Sequence, residues 1–244
     1  MRKTDRGRRP RAAAKAPSLS GRPGRARRDA GGGKTDAPYH HGALREALLQ
    51  AAERVLERDG LAGLTLRAVA REAGVSHAAP THHFGDLTGL LSELAAIGFR
   101  QFNAAMAAAS NTAASPLEGL LARPKAYVAY AQAHPGMYGL MFRSERLDYS
   151  RPTLHEAAET CFAGLANAVG AMRGQEHTGA EALSLDHAAA IARAWSLLHG
   201  FTTLLLDGRI KDILNRLPEG TTAEVLLEGM LKTTLARPPA YPSG

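Results

Sequence analysis

The stretch that decides the fold is residues 65–84, which read TLRAVAREAGVSHAAPTHHF. Apolar residues recur there at helical spacing, which predicts a short helix that Thr65 caps and Gly74 ends. Ala70 is small enough for a second helix to cross closely, Gly74 is free to take a positive φ, and Val75 plugs the turn from behind. Together these features predict a helix-turn-helix.

The second helix of such a motif enters the major groove of DNA with its N-terminal residues foremost. We predict that Ser76 caps this helix. The residues expected to face the bases are Ser76, His77, Ala78 and Ala79, with His82 one turn later. None of these side chains is a bidentate base reader, so base reading would rest on short polar contacts, on thymine methyl groups and on DNA shape. The expected DNA-contacting residues are Thr65, Arg67, Ser76, His77, Ala78, Thr81, His82, His40 and Lys34.

Positive charge is concentrated at one end of the chain. Residues 1–38 hold 12 Lys or Arg and 3 Asp, a formal charge of +9, whereas the other 206 residues hold 18 Lys or Arg and 20 Asp or Glu, a charge of −2. Because a basic segment rich in Gly and Pro cannot form a packed core, we expect a disordered arm. Such an arm is typical of sequence-independent contact with phosphate, and a merely solvated tail is the alternative.

The chain on either side of the motif also carries helical patterns. An apolar stripe over 44–56 predicts a first helix that stops at Asp59-Gly60, and a fourth helix is expected over about 87–109. No alternating pattern of a β-strand competes, so the predicted fold is all-α. Pro124 either kinks or starts the helix that contains it. The further predicted helices lie near 116–133, 136–143, 152–173, 181–207 and 222–236.

These patterns divide the chain into four parts. The basic arm occupies 1–38, a three-helix domain with the helix-turn-helix occupies 39–86, a larger helical domain occupies 87–236, and a tail occupies 237–244. The fourth helix is expected to dock its first part on the preceding three helices. It would therefore join the two folded domains.

Five short segments of the N-terminal part of the chain form one recognisable pattern: YHHGALR at 39–45, GL at 60–61, TLRAVA at 65–70, GVS at 74–76 and HF at 83–84. With this pattern the sequence resembles the TetR/AcrR family of repressors over nearly its whole folded length. Further along the chain, HPGMY at 134–138 and WSLLHG at 195–200 are similar to the C-terminal domain of one branch of that family, in which a Trp…His-Gly element lies in the penultimate long helix.

The resemblance implies a ligand-responsive repressor that binds a palindromic operator as a homodimer in the bacterial cytoplasm, at the nucleoid. Helices near 181–207 and 222–236 of each subunit would pair into a four-helix bundle, and a small apolar or amphipathic effector would release the DNA. The family usually has Tyr where Thr81 stands and Lys where Leu87 stands, both phosphate-contacting positions, and the basic arm could compensate. A nucleoid-type protein that binds DNA without sensing a ligand is the alternative function.

Aromatic and methionine side chains of the larger domain are the candidate ligand contacts, because ligand pockets are mostly apolar with few polar anchors. Packing within the core is the alternative for each of them. His199 follows Trp195 by one helical turn and could anchor a polar group of the ligand. Cys161 is expected to be buried and inert. The candidates are Tyr127, Tyr130, Met137, Tyr138, Met141, Phe162, Trp195 and His199.

Other classes of function find no support in the sequence. Motifs for a catalytic nucleophile, a metalloprotease or a phosphate loop do not occur, so we expect no enzyme and no cofactor. His40, His41, His77, His82 and His83 invite a metal site, but no carboxylate or thiolate completes a ligand set, so we expect no metal. The single cysteine fits a reduced cytoplasm, and no apolar run approaches the length of a membrane span.

Overall fold

A computed structural model describes residues 37–111, 116–142, 144–174 and 183–235. The chain divides into two units, Met1–Ala37 and Pro38–Gly244, and the description concerns the second of them. The predicted tail and nearly all of the predicted basic arm lie outside the described residues.

The described residues form ten α-helices and one short 3-10 helix, with no β-strand among them. The predicted all-α fold is therefore confirmed. The long predicted helices are found with their ends shifted by a few residues, whereas the short α9 and the 3-10 helix were not predicted. The helices are α1 (Ala37–Gly63), α2 (Leu66–Glu72), α3 (Ala78–Phe84), α4 (Leu87–Asn111), α5 (Pro116–Ala133), α6 (Pro135–Met141), the 3-10 helix (Ser144–Arg146), α7 (Pro152–Met172), α8 (Leu185–Leu206), α9 (Lys211–Leu214) and α10 (Ala223–Leu235).

Two of the predicted helix boundaries differ from those in the structure. Helical geometry breaks at Gly60, where φ is +68°, but a further helical turn carries α1 on to Gly63. Helix α5 continues through Pro124, so the alternative that this helix starts at the proline is wrong. Pro124 has no N–H to donate, and its helix tolerates the loss of one hydrogen bond because it packs against α4 and α8.

Helix α4 is the centre of the fold and packs against α5, α6 and α7. A continuous apolar core runs along it from the N-terminal helices to α7. Leu48, Leu56, Leu90, Leu94 and Met141 of this core are fully buried, and each contributes roughly 1.5–3 kcal/mol by leaving water. Because one close-packed core spans both ends of α4, this core can transmit a displacement of the C-terminal half of α4 to its N-terminal half.

Helix α8 is long and apolar enough to cross a membrane. This corrects the sequence-based expectation, because the alanines of its first half extend the apolar stretch well before Leu197. The helix nevertheless packs against α5 and α7, with Ile191 and Phe201 buried. Length and composition alone are weak evidence for a span, and a core helix with a second apolar face has the same composition.

Candidate nucleic-acid interface and ligand cavity

The helix-turn-helix forms as the sequence predicts. The Thr65 hydroxyl oxygen accepts a hydrogen bond from the Ala68 amide at 3.1 Å, which caps α2. The chain then reverses through Gly74, whose φ is +67°, and the Val75 amide donates to the Ala70 carbonyl at 3.0 Å. Val75 itself packs against the apolar core. The small residue, the turn glycine and the apolar plug therefore occupy the positions that the motif requires.

The predicted Ser76 cap is wrong. Helix α3 begins at Ala78, its N-cap position is His77, and no side chain caps it. Pro80 occupies the third helical position, where it offers no amide proton to a capping side chain. The Ser76 carbonyl instead accepts from the Ala79 amide at 3.0 Å, which leads the chain into the helix through a tight turn.

The outer face of the motif is formed by the residues that were predicted to contact DNA. All seven of these whose side chains are described are exposed, whereas Pro80 and Phe84 turn inward and are buried. Lys34 lies outside the described residues, and the structure describes only the helical backbone of His40. The exposed set is Thr65, Arg67, Ser76, His77, Ala78, Thr81 and His82.

The folded motif carries little positive charge of its own. Over residues 42–86 there are five Arg against six Asp or Glu. Arg54 and Arg58 both bind Glu72 at 2.9 Å, and these hydrogen bonds lower the pKa of the Glu72 carboxyl. With a formal charge of −1, the folded motif offers little net attraction to phosphate.

The end of α3 is held against the start of α4 by a glycine. The Asp86 carboxylate accepts from the Gly89 amide at 2.7 Å and so caps α4. A Cβ on Gly89 would lie 2.0 Å from the carbonyl oxygen of Phe84, a separation that real Cβ atoms do not show. The two helices thus meet backbone to backbone, at a distance that only glycine permits.

A loop before α7 reaches this same junction. The Arg151 guanidinium lies 3.5 Å from the Phe84 carbonyl oxygen, which is the last carbonyl of α3. The Asp148 amide donates to the Ser92 hydroxyl at 2.9 Å, and Thr153 donates to Glu93 at 2.9 Å. Residues 148–153 therefore connect α7 to the ends of α3 and α4.

A cavity of about 1340 Å³ lies among α4, α5, α7 and α8, and it is larger than the several hundred Å³ usual for small-molecule sites. Its wall is mainly apolar and includes four of the predicted ligand contacts. Tyr149, in the loop that contacts Ser92 through Asp148, also lines it. The predicted contacts that line the cavity are Tyr127, Met141, Phe162 and Trp195.

The other four predicted ligand contacts lie behind the cavity wall. Tyr130 is buried, and its hydroxyl donates to the Gly98 carbonyl at 3.3 Å. Met137 packs over Gly98, where a Cβ would lie 2.7 Å from its sulfur. Tyr138 and His199 bond to each other and to the hydroxyl of Tyr127. Helical spacing alone did not distinguish cavity lining from core.

Most of the residues that line the cavity were not predicted as ligand contacts, and three of these carry groups that bear on ligand chemistry. Arg123 and Asn103 supply polar groups to the wall. Cys161 was expected to be buried and inert, yet it is half-buried and lines the cavity. Burial raises the pKa of its thiol to about 11, so the thiol stays protonated. The sequence could have indicated Arg123 as a cavity residue, because it lies four residues before Tyr127 and therefore on the same face of α5.

Tyr127, Tyr138 and His199 form a polar cluster between the cavity and α8. The Tyr138 hydroxyl lies 2.7 Å from Nδ1 of His199, a bond that a neutral imidazole accepts. The Tyr127 hydroxyl lies 3.1 Å from that of Tyr138, and it reaches the same Nδ1 at 3.3 Å. Burial lowers the pKa of His199 below its ordinary value of 6.5.

We expect His199 to make the protein less stable in mild acid. Since the folded pKa of His199 is lowered, the unfolded chain binds the proton first, and stability declines as the pH falls below 6.5. In His199→Gln this decline should be shallower than in the unchanged protein. Urea unfolding at intervals between about pH 8 and about pH 5 measures the difference. Parallel pH profiles for the two proteins would contradict the prediction.

Two family models match the chain. The model described as bacterial regulatory proteins of the tetR family matches residues 48–94, which include α2, α3 and the turn between them. The model described as the tetracyclin repressor-like C-terminal domain matches residues 120–230, which include most of the cavity wall. No curated protein matches the chain.

Solved structures share the fold over most of its length. A protein of unknown function from Rhodococcus sp. RHA1 is 32% identical with a TM-score of 0.62, over 81% of this chain and 96% of that one. A TetR-family regulator from Pectobacterium atrosepticum is 20% identical with a TM-score of 0.57, over 82% of this chain and 96% of its own. PfmR, a TetR-family regulator from Thermus thermophilus, is 20% identical with a TM-score of 0.52, over 77% of this chain and 96% of its own. The chain belongs to the TetR family of transcriptional regulators.

Proposed function

We propose that this regulator is a repressor that binds a palindromic operator as a homodimer and leaves it when a small apolar or amphipathic effector binds. The observation that carries the proposal is the loop at 148–153. One side of this loop lines a large apolar cavity, and the other side contacts the end of the recognition helix α3. A cytoplasmic location at the nucleoid follows from this function.

The effector would act through the contacts of that loop. A ligand against Tyr149 changes the position of the loop, and Arg151 carries the change to the last carbonyl of α3. Because Gly89 holds α3 and α4 in close contact, α3 moves together with α4. The ligand then favours a dimer geometry whose recognition helices no longer match successive major grooves.

Helices α8 and α10 support the dimer part of the proposal. Only 22% of the most apolar window of α8 is buried within one chain. Trp195 and Leu204 of α8 are 42% and 45% exposed, and Val225 of α10 is 56% exposed. Large apolar side chains left exposed on a helix are typical of an obligate interface, and two helices from each subunit make a four-helix bundle.

A charge placed on this surface should separate the subunits. Leu204→Glu would put an unpaired carboxylate into the interface, and we expect the dimer to weaken by roughly thirtyfold or more, the effect of losing one interface hot spot. Light scattering at micromolar concentration measures the mass. Leu217→Glu is the matched control, because Leu217 is 36% exposed but lies outside both helices. A Leu204→Glu protein that stays dimeric would refute this interface.

A footprint of the purified protein on the DNA upstream of its own gene tests the function as a whole. A dimeric repressor should protect two half-sites related by a two-fold axis and centred about 34 Å apart. Adding a panel of small apolar and amphiphilic compounds to that complex should yield at least one that removes the protection. Broad protection without a preferred site would instead favour the non-sensing, nucleoid-type alternative.

A further inference from the structure

The cavity wall holds one half-buried cation, Arg123, that makes no ion pair with the described residues. Arg123 of α5 is half-buried, and burial lowers its pKa. Within the described parts of the chain, no carboxylate lies within ion-pair distance of its guanidinium. Cys161 is close, but its thiol is uncharged because its own pKa is raised. Removing a charge from water without a counterion costs free energy, so the burial of this guanidinium needs an explanation.

The partners of the Arg123 guanidinium in the protein are weak ones. It donates to the Ser110 hydroxyl at 3.4 Å and to the Gly164 carbonyl at 3.4 Å, both long for hydrogen bonds of a cation. A guanidinium has five N–H donors in a rigid fork. Most of its capacity to bind a planar anion is therefore unused by these two partners.

A second polar group converges on the same place. A Cβ on Gly164 of α7 would lie 3.1 Å from the Asn103 side-chain oxygen and 3.4 Å from Nη2 of Arg123. Asn103 and Arg123, from α4 and α5, thus meet beside a glycine that leaves space in the cavity wall. Around them the wall is apolar, with Phe102, Met106 and other buried side chains. Arg123 and Asn103 therefore form a polar site within a mainly apolar surface.

We propose that the effector is an amphiphile with a single carboxylate head, bound by Arg123 with help from Asn103, and an apolar chain that fills the rest of the cavity. The inference rests on the proposed function, since it names the ligand class of the same cavity. A carboxylate matches the fork of the guanidinium with two parallel hydrogen bonds. It also supplies the counterion that Arg123 lacks among the described residues.

The rival explanation is that Arg123 only braces α4, α5 and α7 through Ser110 and Gly164. A brace needs no charge on the ligand. The two explanations therefore differ in one measurable property, which is the preference of the cavity for an anionic head over a neutral one of the same chain length.

The test measures binding of decanoate, decanol and decylamine to the full chain by calorimetry at neutral pH, where decanoate is ionised. We expect decanoate to bind roughly tenfold to a hundredfold more tightly than decanol, the range for charge-assisted hydrogen bonds, and decylamine to bind weakest. Arg123→Met keeps an unbranched side chain similar to the aliphatic part of arginine and removes the charge. In that variant decanoate should lose its advantage while decanol still binds, which shows that the cavity is intact.

Arg100→Met is the matched control, because Arg100 of α4 is exposed and does not line the cavity. This variant should keep the preference for decanoate. Equal binding of decanoate and decanol by the unchanged protein, absence of decanoate binding, or a preference that survives Arg123→Met would each overturn the inference. Operator footprinting of the same preparation separates the carboxylate inference from the proposed function. If the protein protects an operator that only neutral compounds release, the inference is overturned and the proposed function stands. If the protein protects no operator, the proposed function itself is overturned.

Discussion

Deletion of residues 1–34 should strongly weaken operator binding and flatten its dependence on salt. This segment holds all 12 Lys or Arg of the predicted arm, whereas residues 42–86 hold five Arg against six acidic residues. Each phosphate that a protein neutralises adds about 0.9 to the negative slope of log K against log salt. If the arm covers about five phosphates, deletion should reduce the magnitude of this slope by about 4.5. Fluorescence anisotropy over a salt series measures it.

A variant with an uncharged arm of unchanged length separates the effect of charge from the effect of chain length. Replacing the Lys and Arg of the arm by Gln should reproduce the effect of the deletion, because counterion release depends on charge alone. Arg67→Gln on the exposed face of α2 gives a reference value for one contact. Loss of a single phosphate contact should reduce the magnitude of the slope by about 1. An unchanged slope in the deleted chain would mean that the folded domain supplies the attraction and that the arm is a solvated tail.

The helix-turn-helix was predictable because its determinants are local. The cap at Thr65, the positive φ of Gly74 and the plug at Val75 depend on neighbours within a few residues, and the structure contains all three. Ser76 failed as a cap for an equally local reason, since Pro80 shifts the helix start and removes an amide from its first turn. That effect of Pro80 was available in the sequence.

The cavity was only half predictable because it is formed by helices that are distant in the chain. Periodicity shows that Tyr127 and Tyr130 are buried, but it does not show which neighbouring helix each one meets. Tyr127 lines the cavity, whereas Tyr130 bonds to the backbone of α4. Arg123 was missed because a charged residue next to a proline looks like a solvated turn until α4 and α7 close over it.

We expect Gly89→Ala to destabilise the protein and to abolish most of its operator binding. The new methyl group would lie 2.0 Å from the carbonyl oxygen of Phe84 and 2.7 Å from Nη2 of Arg151. Arg151 has a flexible side chain and can move, but a backbone carbonyl cannot yield unless α3 shifts against α4. Overpacking of this kind costs roughly 1–3 kcal/mol, and it displaces the helix that reads the major groove.

Gly139→Ala is the matched control for that substitution. Gly139 also lies within a helix, α6, but nothing is within 4 Å of a Cβ placed there. Since Ala is the better helix former by about 0.5–1 kcal/mol, Gly139→Ala should be neutral or stabilising. Urea unfolding gives the stability of both variants, and anisotropy with a labelled operator gives their affinity. If Gly89→Ala matched Gly139→Ala in both measurements, the close contact of α3 with α4 could not be what sets the position of the recognition helix.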